Sequence, residues 1–281
     1  MSRSRRSSLR RFLPRPFPLR HNARLLAVAC LMAVTAVAVP TTQAAPAADR
    51  DAQLGTPTSS AFAGVPTVGP LFRDGLEADH ECTASVIESP HHDLVLTAAH
   101  CVFGTAVGWK VAPGYVTGRT PYGVWTVAAA YVPTQWAATG DARFDYAILR
   151  MAPQRRQSAL VDIEDVTGGN TLGTAPTGDG TITDVAYNAG RDDRPIRCTV
   201  PTYLTAGYPS FDCGGYLGGS SGSPWLDHGV VRGVIGGLHQ GGCVDSTSYS
   251  SPFSLQVFIL YARAAVGGPG ESLPTPGSDG C

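Results

Sequence analysis

Gly218-Gly219-Ser220-Ser221-Gly222-Ser223-Pro224-Trp225 holds three glycines and three serines in eight residues. Such a run can be an ordinary loop. It is also what a serine nucleophile needs. Small neighbours let a carbonyl reach the hydroxyl, and successive backbone N–H groups can converge on an oxyanion. Two upstream segments give the reading its direction. In Leu96-Thr97-Ala98-Ala99-His100-Cys101 a short apolar strand runs into small residues that permit a tight turn, presenting His100 where the strand ends. In Phe144-Asp145-Tyr146-Ala147-Ile148-Leu149 an acid stands directly before an apolar strand. A carboxylate buried alone is costly, so Asp145 calls for a positioned partner such as an imidazole N–H, unless it caps a turn as Asp141 could.

The surrounding chain is built of short apolar runs. Thr83–Ile87, Leu94–Thr97, Val124–Val127, Tyr146–Leu149 and Val230–Ile235 are four to six residues long, rich in Val, Ile and Thr, and bounded by Gly, Pro or Asp. Such runs read as strands. Helical spacing occurs at 254–265, where Leu255, Val257, Phe258, Leu260, Tyr261 and Ala264 can share a broad face. With 33 Gly, 22 Pro and only 15% charged residues in 281, the chain is neither a coiled coil nor disordered. The expected class is all-β with one short C-terminal helix.

Charge is unevenly placed. Residues 1–44 carry eight Arg and no acid, which leaves 13 basic and 22 acidic side chains downstream. An acidic chain of this kind has no electrostatic footprint for nucleic acid or anionic lipid. The Arg-rich start precedes fifteen apolar or near-apolar residues, Leu25–Val39, then small residues and a cleavage site at Thr42-Gln43-Ala44. That pattern makes 1–44 a secretory signal peptide rather than a membrane anchor, which needs about 20 apolar residues. Residues 45–64, rich in Ala, Pro, Thr and Ser, read as a leader or propeptide, with maturation expected near Val65 or Val68. Residues 267–281 read as a loose Gly/Pro-rich tail unless Cys281 pins it. Once Cys30 leaves with the signal, Cys82, Cys101, Cys198, Cys213, Cys243 and Cys281 remain, an even number that reads as three disulfides in an exported chain. Cys82, on a preceding strand, is the expected partner of Cys101.

Thr-Ala-Ala-His-Cys, an Asp heading an apolar strand and Gly-x-Ser-Gly-x-Pro, in that order, resemble the chymotrypsin/trypsin-like serine peptidases over about 66–265. The form Gly219-Ser-Ser-Gly-Ser-Pro224 is most similar to the bacterial glutamyl endopeptidase branch and to secreted actinobacterial peptidases. The resemblance implies two antiparallel β-barrels, about 66–155 and 156–253, with the site in the cleft between them. It implies Ser221 as nucleophile, His100 as general base, Asp145 orienting the imidazole, and the N–H groups of Gly219 and Ser221 as oxyanion hole. Gly236-Gly237-Leu238 corresponds to the edge that pairs with an extended substrate. Cys198–Cys213 resembles a family disulfide and leaves Cys243 with Cys281; the alternative joins Cys213 to Cys243 and Cys198 to Cys281.

Two departures matter. Ser220 stands where trypsin-like enzymes have the Asp that receives the new N-terminal amine. Ile235 stands where glutamyl endopeptidases have a His, and Asp212 is badly spaced for a pocket base, so neutral side chains are expected before the cut. The implied protein is a secreted monomeric endopeptidase acting on proteins or peptides, with no cofactor, no metal and no membrane association once the signal is removed. Two other readings stay open. Gly218-Gly-Ser-Ser-Gly222 also fits a hydrolase elbow in which Ser220 reacts, making an esterase, and a protease-like chain can be an inactive binding module.

Overall fold

Residues 55–190, 194–277 and 281 are described by the structure, a computed structural model. The signal region 1–44 and the leader up to residue 54 lie outside the described residues. Six short strands close on themselves as an antiparallel barrel: Val68–Phe72, Cys82–Val86, Leu94–Thr97, Ala147–Met151, Trp125–Tyr131 and Lys110–Val111, the last pairing back onto the first. Leu71, Val86, Leu94, Leu96, Trp125 and Ile148 are buried in its core, and closure leaves no free edge. The strand order positions the chemistry. Thr97 lies opposite Ala147, so the turn bearing His100 and the approach bearing Asp145 emerge at the same end of the barrel.

The second half is a six-stranded sheet and a three-stranded one. The first runs in the order Ser60–Ala61, Ile196–Pro201, Thr181–Ala186, Pro224–Asp227, Val230–Val234, Thr171–Leu172. The other is Tyr203–Thr205, Tyr208–Asp212, Thr247–Tyr249. Pairing is antiparallel except where Thr171–Leu172 runs parallel to Val230–Val231. Phe211, Trp225, Val200 and Ile235 form the core, with Phe211 edge-on to both Tyr216 and Trp225. The two halves meet over a buried seam of Val68, Phe72 and Tyr115 against Val185 and Tyr187.

Three helices decorate the sheets: α1 (Thr134–Thr139), α2 (Ile163–Thr167) and α3 (Leu255–Val266). Ser254 caps α3 by accepting the N–H of Gln256. Val257, Leu260 and Ala264 bury against the first barrel. Leu255, expected on that face, is 71% exposed, because it stands about 200° around the axis from Val257. No helix among the described residues is long and apolar enough to cross a membrane.

Three segments differ from their reading in the sequence. Part of the expected leader is a strand: Ser60–Ala61 pairs with Ile196–Arg197, the Ser59 N–H donates to Gly214 O (2.8 Å), and the Gly214 N–H to Pro57 O (2.7 Å). The tail is not loose over its first part. Gly104 and Leu273 exchange backbone bonds, and Glu271 pairs with Arg263 at 2.9 Å. His80, read as a loop residue, is fully buried, edge-on to Phe72 and Tyr187. The disulfides are Cys82–Cys101, Cys198–Cys213 and Cys243–Cys281.

Candidate active site

His100 sits in a single 3-10 turn, Ala99–Cys101, directly after the strand that ends at Thr97. Ala98 and Ala99 are fully buried, so the turn is tight because nothing larger fits, and Cys101 is bonded to Cys82 on the neighbouring strand. Asp145 is completely buried and accepts three hydrogen bonds. Oδ1 takes the His100 backbone N–H at 2.8 Å; Oδ2 takes His100 Nδ1 at 2.7 Å and the Gly237 N–H at 2.8 Å. Those donors offset the cost of burying the carboxylate. Because the carboxylate faces Nδ1, the ring proton resides there and Nε2 is left as the basic nitrogen. The backbone of Asp145 is held in turn, its N–H donating to Ser251 Oγ (2.9 Å) while that hydroxyl donates to Ala142 O (2.7 Å).

The serine loop is held by its backbone. The Ala189 N–H donates to Gly218 O, the Ser220 N–H to Leu217 O, the Gly222 N–H to Ile235 O and the Ser223 N–H to Ser220 O. Thr83 reaches across from the first barrel: its N–H donates to Ser221 O (2.7 Å) and its hydroxyl to Gly219 O (3.0 Å). With those carbonyls turned inward, the N–H groups of Gly219 and Ser221 have no acceptor among the described residues. Gly219 has φ +96°, and a Cβ there would stand 2.2 Å from Ala189 N. Only glycine fits. Ser221 is partly exposed, whereas Ser220 is buried and its hydroxyl donates to Leu217 O at 2.7 Å.

His100, Gly219 and Ser221 line one cleft of about 500 Å³, together with Tyr216, Ile235 and Ser248. Glu81, His239 and Asp245 also border it. Asp212 is turned elsewhere, accepting from Tyr203 Oη (2.8 Å) and Thr247 Oγ1 (2.9 Å). The edge at Gly236-Gly237-Leu238 is not an open strand. The Gly236 N–H donates to Tyr249 O, that of Gly237 to Asp145, and Gly237 O accepts from Gln240 N as the chain enters a tight turn, Leu238–Gly241, in which His239 (φ +51°) and Gln240 (φ +48°) are left-handed. Gly237 at φ +77° makes that bend. Cysteines lie near His100 and His239, but all are in disulfides and offer no thiolate to a metal.

The fold described above is found in known structures. A protease named Anisep from Arthrobacter nicotinovorans superposes with a TM-score of 0.64 at 23% identity, over 75% of this chain and all of that one. The fold is that of the chymotrypsin/trypsin-like serine proteases. A thermostable serine protease, AL20, from an extremophilic microorganism matches at TM-score 0.59 and 19% identity over 72% of this chain and 98% of its own. A Glu endopeptidase matches at 0.56 and 19%, over 75% and 99%. Human heparin binding protein shares the chymotrypsin-like fold too, at TM-score 0.59 and 15% identity over 76% and 99%. No protein-family model and no curated protein sequence matches the chain. A chymotrypsin-like fold that also carries a protein named for heparin binding does not decide activity; the side chains must.

Several contributors were not picked out in the sequence. Thr83, Thr97 and Ser251 are fully buried hydroxyls around the site: Thr83 bonds to the serine loop and Ser251 to the Asp145 approach, joining the two halves, while Thr97 Oγ1 donates to Thr83 O within the first barrel. The signal at Thr83 and Thr97 was a hydroxyl in an apolar run, which also describes ordinary strand threonines, and Ser251 sits among other hydroxyl residues at 246–251.

Proposed function

We propose that this chain is a secreted serine endopeptidase that cleaves peptide bonds through an acyl-enzyme. The observation that carries the reading is the Asp145-bound imidazole of His100 sharing a cleft with Ser221 and with two uncommitted N–H groups. His100 Nε2 takes the Ser221 proton as Oγ attacks the carbonyl, then gives it to the leaving amine. Asp145 holds the ring and stabilises its cation without taking the proton. Gly219 and Ser221 N–H groups receive the oxyanion, each such donor being worth about 3 kcal/mol in the transition state. Water repeats the sequence to release the acid. The residue before the cut is neutral, since Tyr216, Ile235 and Ser248 are the buried lining of the cleft, Asp212 is bonded away from it, and Glu81 and Asp245 on its border are exposed to water. The enzyme acts as a monomer, exported by residues 1–44.

Ser221→Ala removes nearly all hydrolysis of a peptide amide, while Ser220→Ala retains much of it. The reverse pattern would support the elbow esterase. No hydrolysis of any unfolded protein, and no labelling of Ser221 by a fluorophosphonate, would leave a binding module. Sequencing the products of one denatured protein reads the preference before the cut; cuts dominated by Glu, or by Arg and Lys, would refute the neutral pocket.

A further inference from the structure

Asp184 breaks the pattern of its own strand. Ile182, Asp184 and Ala186 fall on one face of Thr181–Ala186, and the outer two belong to the core that Phe211 and Trp225 fill. The acid between them is fully buried. Both oxygens of its carboxyl lie within hydrogen-bond distance of the Ser223 hydroxyl, and its backbone carbonyl accepts from Tyr216 Oη at 3.4 Å. No step of the reaction described above uses this group. We propose that Asp184 is a positioning residue for that reaction, holding the serine loop and the Tyr216 wall of the cleft in one fixed relation. The proposal rests on the peptidase reading above.

Ser223 closes the turn that carries Ser221. Its N–H donates to Ser220 O at 3.0 Å, and its carbonyl accepts from Ile235 N at 3.0 Å. Side chains hold the half of the loop before Ser221: Ser220 Oγ donates to Leu217 O and Thr83 Oγ1 to Gly219 O. After Ser221 comes Gly222, which has no side chain to offer, and then the Ser223 hydroxyl, fastened to Asp184. Asp184 is itself fixed between two strands, opposite Trp225 on one and Cys198 on the other. A shift of Ser223 therefore moves Ser221 and its neighbouring N–H groups against the wall at Tyr216. The oxyanion donors work only within about 3 Å of the developing charge. Misplacement by about 1 Å can cost about 10²-fold in rate.

Stability alone does not call for an acid here. Replacing both partners of a buried hydrogen bond by apolar groups of the same shape can be nearly neutral. What an apolar pair lacks is direction. The carboxyl presents its oxygens on one side of Ser223 and so selects the orientation of that side chain, while the carbonyl of the same residue anchors Tyr216. A buried polar residue that interrupts an apolar strand face is the kind of local exception expected beside a functional site.

The test uses the matured full chain, a peptide anilide and fluorophosphonate labelling of Ser221. Asp184→Leu combined with Ser223→Ala puts an apolar pair in place of acid and hydroxyl and leaves neither partner buried alone. We expect this double variant to fold, with kcat down at least about tenfold, KM within about twofold of wild type, and labelling slowed in proportion. Asp184→Asn offers the same hydroxyl an acceptor and a donor, and keeps at least about a third of kcat. A folded double variant with a loss below about tenfold overturns the positioning role. So does Asp184→Asn losing as much as the double variant. Should the double variant fail to fold, Ser223→Ala alone must lower kcat with KM little changed, and an unchanged kcat overturns the role. A wild type that neither cleaves the anilide nor is labelled overturns the peptidase reading, and the role with it.

Discussion

The one hydroxyl of Ser223 stands 3.0 and 2.9 Å from the two carboxylate oxygens of the fully buried Asp184. A hydroxyl holds a single proton and donates to one oxygen; the second short contact is made well only if the carboxyl carries a proton and donates it back. Burial pushes this carboxyl well above the usual carboxylate range. The folded state then keeps a proton that the unfolded chain releases. The associated stability is full below the unfolded value of about 3.9 and is lost as pH rises toward the folded value, by at most about 1.4 kcal/mol per pH unit. An amide reproduces the protonated acid, donor on one side and acceptor on the other. We expect Asp184→Asn to gain on the wild type steadily from about pH 4 upward. Melting temperatures across pH check this; a difference that does not grow with pH would count against a protonated Asp184.

Asp145→Asn tests the orienting role. Three N–H donors converge on the carboxylate, and an amide turns its own donor toward at least one of them. The imidazole tautomer is then wrong for accepting the serine proton, and kcat should fall by about 10⁴ with KM little changed. Steady-state kinetics on a peptide anilide decide it, and a loss of less than tenfold would refute the assignment.

Gly222 follows Ser221 with φ +80°, and a Cβ there would lie 2.2 Å from Thr97 Oγ1 and 2.3 Å from Thr83 O. Both atoms belong to the first barrel. Gly222→Ala should cost on the order of 1–3 kcal/mol in backbone strain alone, with overpacking in addition. Urea midpoints give the measurement. An unperturbed midpoint with full activity would mean the halves do not meet as described.

Maturation should leave the strand at Ser60–Ala61 in place. Its bonds to Ile196–Arg197, and those of Pro57 and Ser59 to Gly214, hold the chain seven residues before Ser221. We expect the mature chain to begin upstream of Pro57, as read by amino-terminal sequencing of the secreted protein. A fully active species beginning at Val65 or Val68 would contradict it.

What could be read from the sequence was chemistry with a strong local signature. The histidine turn needs small residues before His100, and the serine loop needs Gly219 and Gly222, so both leave a trace within six residues. Four of the six strands of the first barrel were legible because their apolar runs fill a closed core, whereas Val68–Phe72, broken by Gly69 and Pro70, and the two-residue Lys110–Val111 were not. What stayed hidden depends on backbone atoms or on distance along the chain. The pairing of Ser60 with Arg197 involves no diagnostic side chain. The segment Pro274–Gly277 looked like a loose tail because proline and glycine suit a segment bonded to the body of the protein as well as a free one. The bend at Gly237 was missed since a glycine pair fits an open edge as well as a turn at φ +77°. His80 lacked any sign of burial until Phe72 and Tyr187 were brought around it.

Of the three disulfides, Cys82–Cys101 and Cys198–Cys213 are buried, whereas Cys243 and Cys281 are both exposed. Exposed bonds exchange first. A mild reductant would therefore free Cys281 from Cys243 before it disturbed the barrel or the sheets of the second half, leaving Leu273 bonded to Gly104 and Gly277 to Gln240. In a reducing cytoplasm the same bond does not persist. A chain assembled this way has its C-terminal end tied to the border of the cleft only where the surroundings are oxidising.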